Sequence, residues 1–146
     1  MRILNMLLLT ACAAGPDSSP ESADVVGVKV SGSVGDYSFA VTVRSPDAGC
    51  ERYADWWEVV SPEGELLYRR ILGHSHVDEQ PFTRSGEPVD VAADSAIVVR
   101  AHLHPDGYGQ QVWSGSVDSG LKEMLLDSVF SEDLSQEAPL PSGCAF

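Results

Sequence analysis

The four histidines of this 146-residue chain form two His-x-His pairs, His74-Ser75-His76 and His102-Leu103-His104. Residues two apart in a strand point the same way, so each pair projects two imidazoles from one sheet face. Neutral imidazoles are ligands for Zn²⁺ and Cu²⁺. Around the second pair, Ile97, Val99, Ala101 and Leu103 alternate as an inward set. Val98, Arg100, His102 and His104 are therefore expected to face outward. If the strands ending at His76 and His104 both flank the Trp57 strand, antiparallel to it, the pairs share one end of a sheet. They would then stand about 9–10 Å apart, two strand spacings, with Asp55 on the middle strand as a carboxylate neighbour. Asp78, Glu79 and Asp106 fall in the adjoining turns. The same spacing also describes a solvated polar face. Arg100 stands two residues from His102, which disfavours a cation there, and Gly73 allows a bulge that would break the first pair's register. A Zn or Cu site on His74, His76, His102 and His104, with Asp55, and a solvated face both remain open.

Other chemistry is sparse. There is no Gly-x-Ser-x-Gly elbow and no glycine loop for phosphate. The adjacent acids Asp78-Glu79 and Glu132-Asp133 point apart in a strand and fit solvated positions. By the same rule, Trp56-Trp57 sends one ring into the core and the other outward, as packing or as a stacking surface. Gly73-His74-Ser75-His76 resembles the copper-binding His-x-His of copper–zinc superoxide dismutases. The resemblance covers those residues alone. The zinc-loop histidines and aspartate of that family have no counterpart, so no enzymatic activity follows and no catalytic residue is assigned.

At the amino end, Arg2 precedes an apolar run of Ile3, Leu4, Met6, Leu7, Leu8 and Leu9. The run is shorter than the roughly 20 residues a spanning helix needs and suits a secretory leader. Leu9-Thr10-Ala11-Cys12 resembles the lipobox of bacterial lipoproteins. That resemblance implies cleavage after residue 11, lipidation at Cys12 and acylation (palmitate) of the new amino terminus. Ala13, rather than Asp, at the second mature position implies sorting to the outer membrane of a two-membrane cell. Residues 12–24 are small, acidic or Pro/Gly/Ser and read as a flexible tether.

The net charge is −13. Loss of residues 1–11 removes one base and no acid, leaving 8 basic against 22 acidic residues and a charge of −14. Such a balance excludes nucleic acid and anionic headgroups as charge-driven partners. With Cys12 lipidated, Cys50 and Cys144 are an even pair in an oxidising compartment, where a disulfide is the default. A loop of that span is worth about 3–5 kcal/mol in the chain-entropy model.

These groups need a scaffold, and at 43% hydrophobic the chain can build a core. Alternating segments at 26–30, 37–43, 54–60, 66–72, 89–91, 96–104 and 111–117 make about seven strands with no long helix among them. Ser61-Pro62-Glu63-Gly64 fits a type I turn between the third and fourth. The pattern over 25–117 is all-β. It is similar to an immunoglobulin-like or fibronectin type III antiparallel sandwich, carried by Trp57, the Pro-Glu-Gly hairpin and the strand at 97–103. Leu121, Met124, Leu125 and Val129 fall at helical spacing, so a short helix or irregular tail is expected over 118–146, tied back by the disulfide. The expected function is that of a membrane-anchored, non-enzymatic envelope lipoprotein binding a transition metal. The alternative is a structural module for an envelope protein or glycan.

Overall fold

The computed structural model describes residues 20–146. The leader, the lipobox through Cys12 and most of the tether therefore lie outside the described residues. Among those described, nine strands form two antiparallel sheets: β1 (Asp24–Ser33), β2 (Asp36–Arg44), β3 (Tyr53–Val60), β4 (Leu66–Ile71), β5 (Phe82–Ser85), β6 (Ile97–His104), β7 (Gly107–Tyr108), β8 (Gln111–Ser116) and β9 (Gly120–Leu125). The smaller sheet has the order β1-β2-β5, and the larger β4-β3-β6-β8-β9 with β7 on β6. β4 and β6 flank β3, each antiparallel to it, which is the arrangement a sandwich of these strands requires.

The sheets close on a core of inward residues from both. Phe39, Val41 and Val43 of β2 meet Trp57 and Val59 of β3 and Ile97, Val99, Ala101 and Leu103 of β6. Trp57 and the four β6 side chains are fully buried. At about 25 cal/mol per Å² of apolar surface removed from water, this layer is the main source of stability. Ala23, in the stretch read as tether, is also fully buried. Its carbonyl lies where a Cβ on Gly109 would stand, at 1.9 Å, so the chain entry is sealed against a position that only glycine can fill.

The β3–β4 turn follows its sequence: the Gly64 N–H donates to Ser61 O at 2.9 Å, and Gly64 takes a φ of 88°. Three expectations need correction. The fifth strand is Phe82–Ser85, not 89–91. Gly86 and Pro88 interrupt the ladder, because proline has no N–H to give, and Val89 makes only an isolated bridge to Tyr37. The helical spacing at 121–125 belongs to β9, which extends the sheet past residue 117. Gly120 (φ 93°) turns the chain back so that its N–H and C=O groups complete the free edge of β8. The only helical turn among the described residues is a 3-10 segment, Glu132–Gln136. No helix among them is long and apolar enough to cross a membrane.

The third correction concerns the outer face of the larger sheet. Residues 126–146 cross it as a strap, so Arg100 and His102, expected to face outward, are buried beneath it. The disulfide Cys50–Cys144 ties the strap's end to the loop before β3. Its last residues add a parallel bridge: the Ser75 N–H donates to Ala145 O at 2.9 Å, and the Ala145 N–H to Gly73 O at 2.9 Å.

Candidate functional site under the strap

Cross-strand register decides which outer side chains meet. Trp56 faces His102 and Glu58 faces Arg100 across β3–β6, while Arg69 of β4 faces Glu58. Glu58 is completely buried and bridges both cations: Arg69 Nε donates to Oε2 and Arg100 Nε to Oε1, each at 2.8 Å. Two arginines and one glutamate leave an excess positive charge. The strap answers it with backbone carbonyls. Arg69 donates to Leu134 O at 2.7 Å and Pro139 O at 2.9 Å; Arg100 donates to Phe130 O and to Ser131 O at 3.0 Å. A buried charge is tolerable only when its hydrogen-bonding capacity is filled, and here the strap fills it. Sequence reasoning missed this latch. Its one signal was a charged residue alternating with apolar ones on each of β3 and β6.

Beyond the latch, strap and sheet part into a cleft of about 750 Å³. Its walls include Tyr53, Trp56, Tyr108, His104, Glu132 and Ser135, and no lysine or arginine among the described residues lines it. Asp55 and His102 lie in it as well. The ladder skips one residue between Ala54 and Trp56, so Asp55 is the extra residue of a β-bulge. Without the bulge, Asp55 and Trp56 would point to opposite faces. With it, Asp55 reaches His102 Nδ1 at 2.6 Å, and the Trp56 ring stacks on the imidazole at 3.8 Å between centroids, 3° from parallel. Tyr108 meets the same imidazole edge-on at 5.0 Å. Asp55, an acceptor when ionised, fixes the His102 proton on Nδ1 and leaves Nε2 as the free nitrogen. Nε2 has no protein partner among the described residues and is not sealed from solvent.

The phenols stay protonated. Burial, reinforced by Glu58, pushes Tyr108 upward from the ordinary tyrosine value. Burial, with Asp55 and Asp47 behind it, raises Tyr53. His104 is exposed at the cleft mouth, with Tyr53 5.9 Å from its ring.

The other pair sits elsewhere. His74 is exposed, beside the strap's last residues. His76 is buried and stacks on Phe82 at 3.9 Å, and its backbone N–H donates to Asp47 Oδ2 at 2.8 Å. His76 Nδ1 lies 3.9 Å from that carboxylate, too far for a hydrogen bond. Burial and then Arg84 lower its pKa, and Asp47 and Glu79 offset this only in part. His74 and His76 line a separate depression with Phe146. His102 and His104 end β6 as predicted, whereas β4 stops short of His74 and His76, and the two pairs do not converge. No three His, Cys, Asp or Glu side chains among the described residues form a metal-binding group. The four-imidazole arrangement fails because the chain leaves β4 at Ile71, so His74 and His76 lie in the loop beyond the ladder.

No family model and no solved structure matches the chain. Among curated proteins, one from Halomicrobium mukohataei (strain ATCC 700874 / DSM 12286 / JCM 9738 / NCIMB 13541), named "Putative lipoprotein", is 42% identical over 83 residues. The match takes in 56% of this chain and 40% of that protein, so the chain spans well under half of the relative it resembles.

Proposed function

We propose that this chain is a lipid-anchored lipoprotein of the cell envelope whose folded domain is a non-catalytic binding module. Two independent lines support the anchor: the Leu9-Thr10-Ala11-Cys12 motif and the likeness to a relative named as a lipoprotein. By the Ala13 rule, the lipid sits in the outer membrane where the cell has two. The domain's first strand begins only at Asp24, so a short polar stretch separates Cys12 from the fold.

The observation that carries the binding role is the cleft under the strap, floored by the Asp55–His102 pair with Nε2 free. A nucleophilic relay would need a hydroxyl or thiol hydrogen-bonded to that imidazole. Asp55 is the only hydrogen-bond partner of the His102 ring among the described residues. Concave sites with few, fixed polar groups suit ligand capture.

Anchoring is tested by expressing the full chain and its Cys12→Ser variant in a lipoprotein-processing host with a clickable palmitate analogue, followed by detergent phase separation. The full chain is expected to carry label and enter the detergent phase, and the variant to remain unlabelled and aqueous. An unlabelled, aqueous full chain overturns the reading.

A further inference from the structure

We propose that His102 and His104 form an open two-imidazole site for a divalent transition cation at the cleft, with Asp55 as its positioning residue. The inference rests on reading the cleft as a binding site and names what that site takes first. His102 is prepared as a ligand in a way His74 and His76 are not. Its ring is held by the Trp56 stack, by the Tyr108 edge and by Asp55 at Nδ1, which leaves one basic nitrogen and little freedom. An imidazole whose far nitrogen donates to a buried carboxylate is the usual outer-shell arrangement of a metal-bound histidine. The carboxylate fixes the tautomer and the orientation of the ring.

His104 is the next outward position on the same strand and lines the same cleft. Cross-strand pairing places Tyr53 opposite His104 and Trp56 opposite His102, so both imidazoles have aromatic neighbours on β3. The charge environment permits a cation. Arg100, the nearest base on the strand, shares Glu58 with Arg69 and spends its remaining donors on the strap carbonyls. Arg52 is paired with Asp106 at 3.0 Å. Two protein ligands leave the remaining coordination positions to water or to a donor group on a bound molecule. Such an incomplete shell suits capture or presentation rather than a closed structural site. Imidazole donors select Cu²⁺ and Zn²⁺ over Mg²⁺ and Ca²⁺, with Cu²⁺ the tighter of the two.

The test is titration of chelator-stripped Cys12→Ser chain with Cu²⁺, followed by electron paramagnetic resonance and by quenching of tryptophan fluorescence, since Trp56 touches the ligand ring. One equivalent with nitrogen hyperfine structure is expected, together with Zn²⁺ competition. His104→Ala, at an exposed position that leaves the fold intact, should weaken binding at least about tenfold. Asp55→Asn should weaken it about 10–100-fold, the usual outer-shell effect. His74→Ala should leave it unchanged. Absence of saturable binding, binding indifferent to His104→Ala, or loss on His74→Ala overturns the site. Membrane partition reads the anchor separately, on the chain with Cys12 intact, so each proposal can fail alone.

Discussion

The two faces of β3 and β6 are both largely buried and chemically opposite. Inward, Trp57, Val59, Val99, Ala101 and Leu103 are apolar and fully buried. Outward, Trp56, Glu58, Arg100 and His102 are buried almost as completely, beneath a strap with little regular structure. Period-two alternation therefore reports a change of chemistry across the sheet, and not a change of solvent exposure. The inner layer is held by area removed from water, which tolerates modest changes of shape. The outer layer is held by charge satisfaction, which tolerates the loss of no single partner.

Removing one member from each layer should separate them. Glu58→Ala leaves two buried guanidinium groups unneutralised and should cost about 3–5 kcal/mol by urea unfolding. Trp57→Ala should cost a similar amount, about 3–5 kcal/mol, through a cavity. Only the first should be rescued by Arg69→Met with Arg100→Met, since replacing a whole buried ion cluster by apolar groups is often neutral. A cost below 1 kcal/mol for Glu58→Ala would break the comparison.

Replacing both Cys50 and Cys144 with serine should cost about 2–5 kcal/mol. Amide exchange should rise in the strap first and in β3 and β6 last. A trimmed inner side chain, Ile97→Val, should cost about 0.5–1.5 kcal/mol and leave strap exchange unaltered.

A smaller effect concerns pH. Burial and Arg84 lower the His76 pKa below its ordinary 6.5, against the raising influence of Asp47 and Glu79, while His74 adds to the lowering. The unfolded chain then binds the proton more readily than the folded one. Stability should be complete above about pH 6.5 and fall as pH drops below it, levelling off once the folded imidazole also protonates. His76→Phe, stacking on Phe82, should flatten that slope in thermal melts at pH 5 to 8. The smallest change is expected at the exposed Arg52–Asp106 pair, where Arg52→Ala should shift stability by about 0–1 kcal/mol.

Much of this was readable in the chain. Alternation assigned every inward residue of β6 and split Trp56 from Trp57. Ser61-Pro62-Glu63-Gly64 marked its turn, and cysteine parity paired Cys50 with Cys144, bonded in the structure. What alternation cannot report is what covers a face. Arg100 looked solvated because its partners, Glu58 and the carbonyls at 130–131, are 42, 30 and 31 residues away in sequence. β9 carries the spacing of a helix because Leu121, Met124 and Leu125 satisfy a helical period by chance, while the free edge of β8 outweighs it. Asp55 and His102 were both singled out, but their contact depends on a bulge, and no residue type at 54–56 announces one.

That bulge is confined to one side of β3. Excise Asp55 and the remaining order, Tyr53, Ala54, Trp56, Trp57, Glu58, alternates without a fault against His104, Leu103, His102, Ala101 and Arg100. The β3–β6 ladder does not pair the residue, although on the β4 side its carbonyl accepts from the Leu72 N–H at 2.8 Å. Asp55 is thus one residue added to an otherwise regular β3–β6 ladder. A three-nucleotide deletion should return the ladder to regularity and leave His102 without its carboxylate.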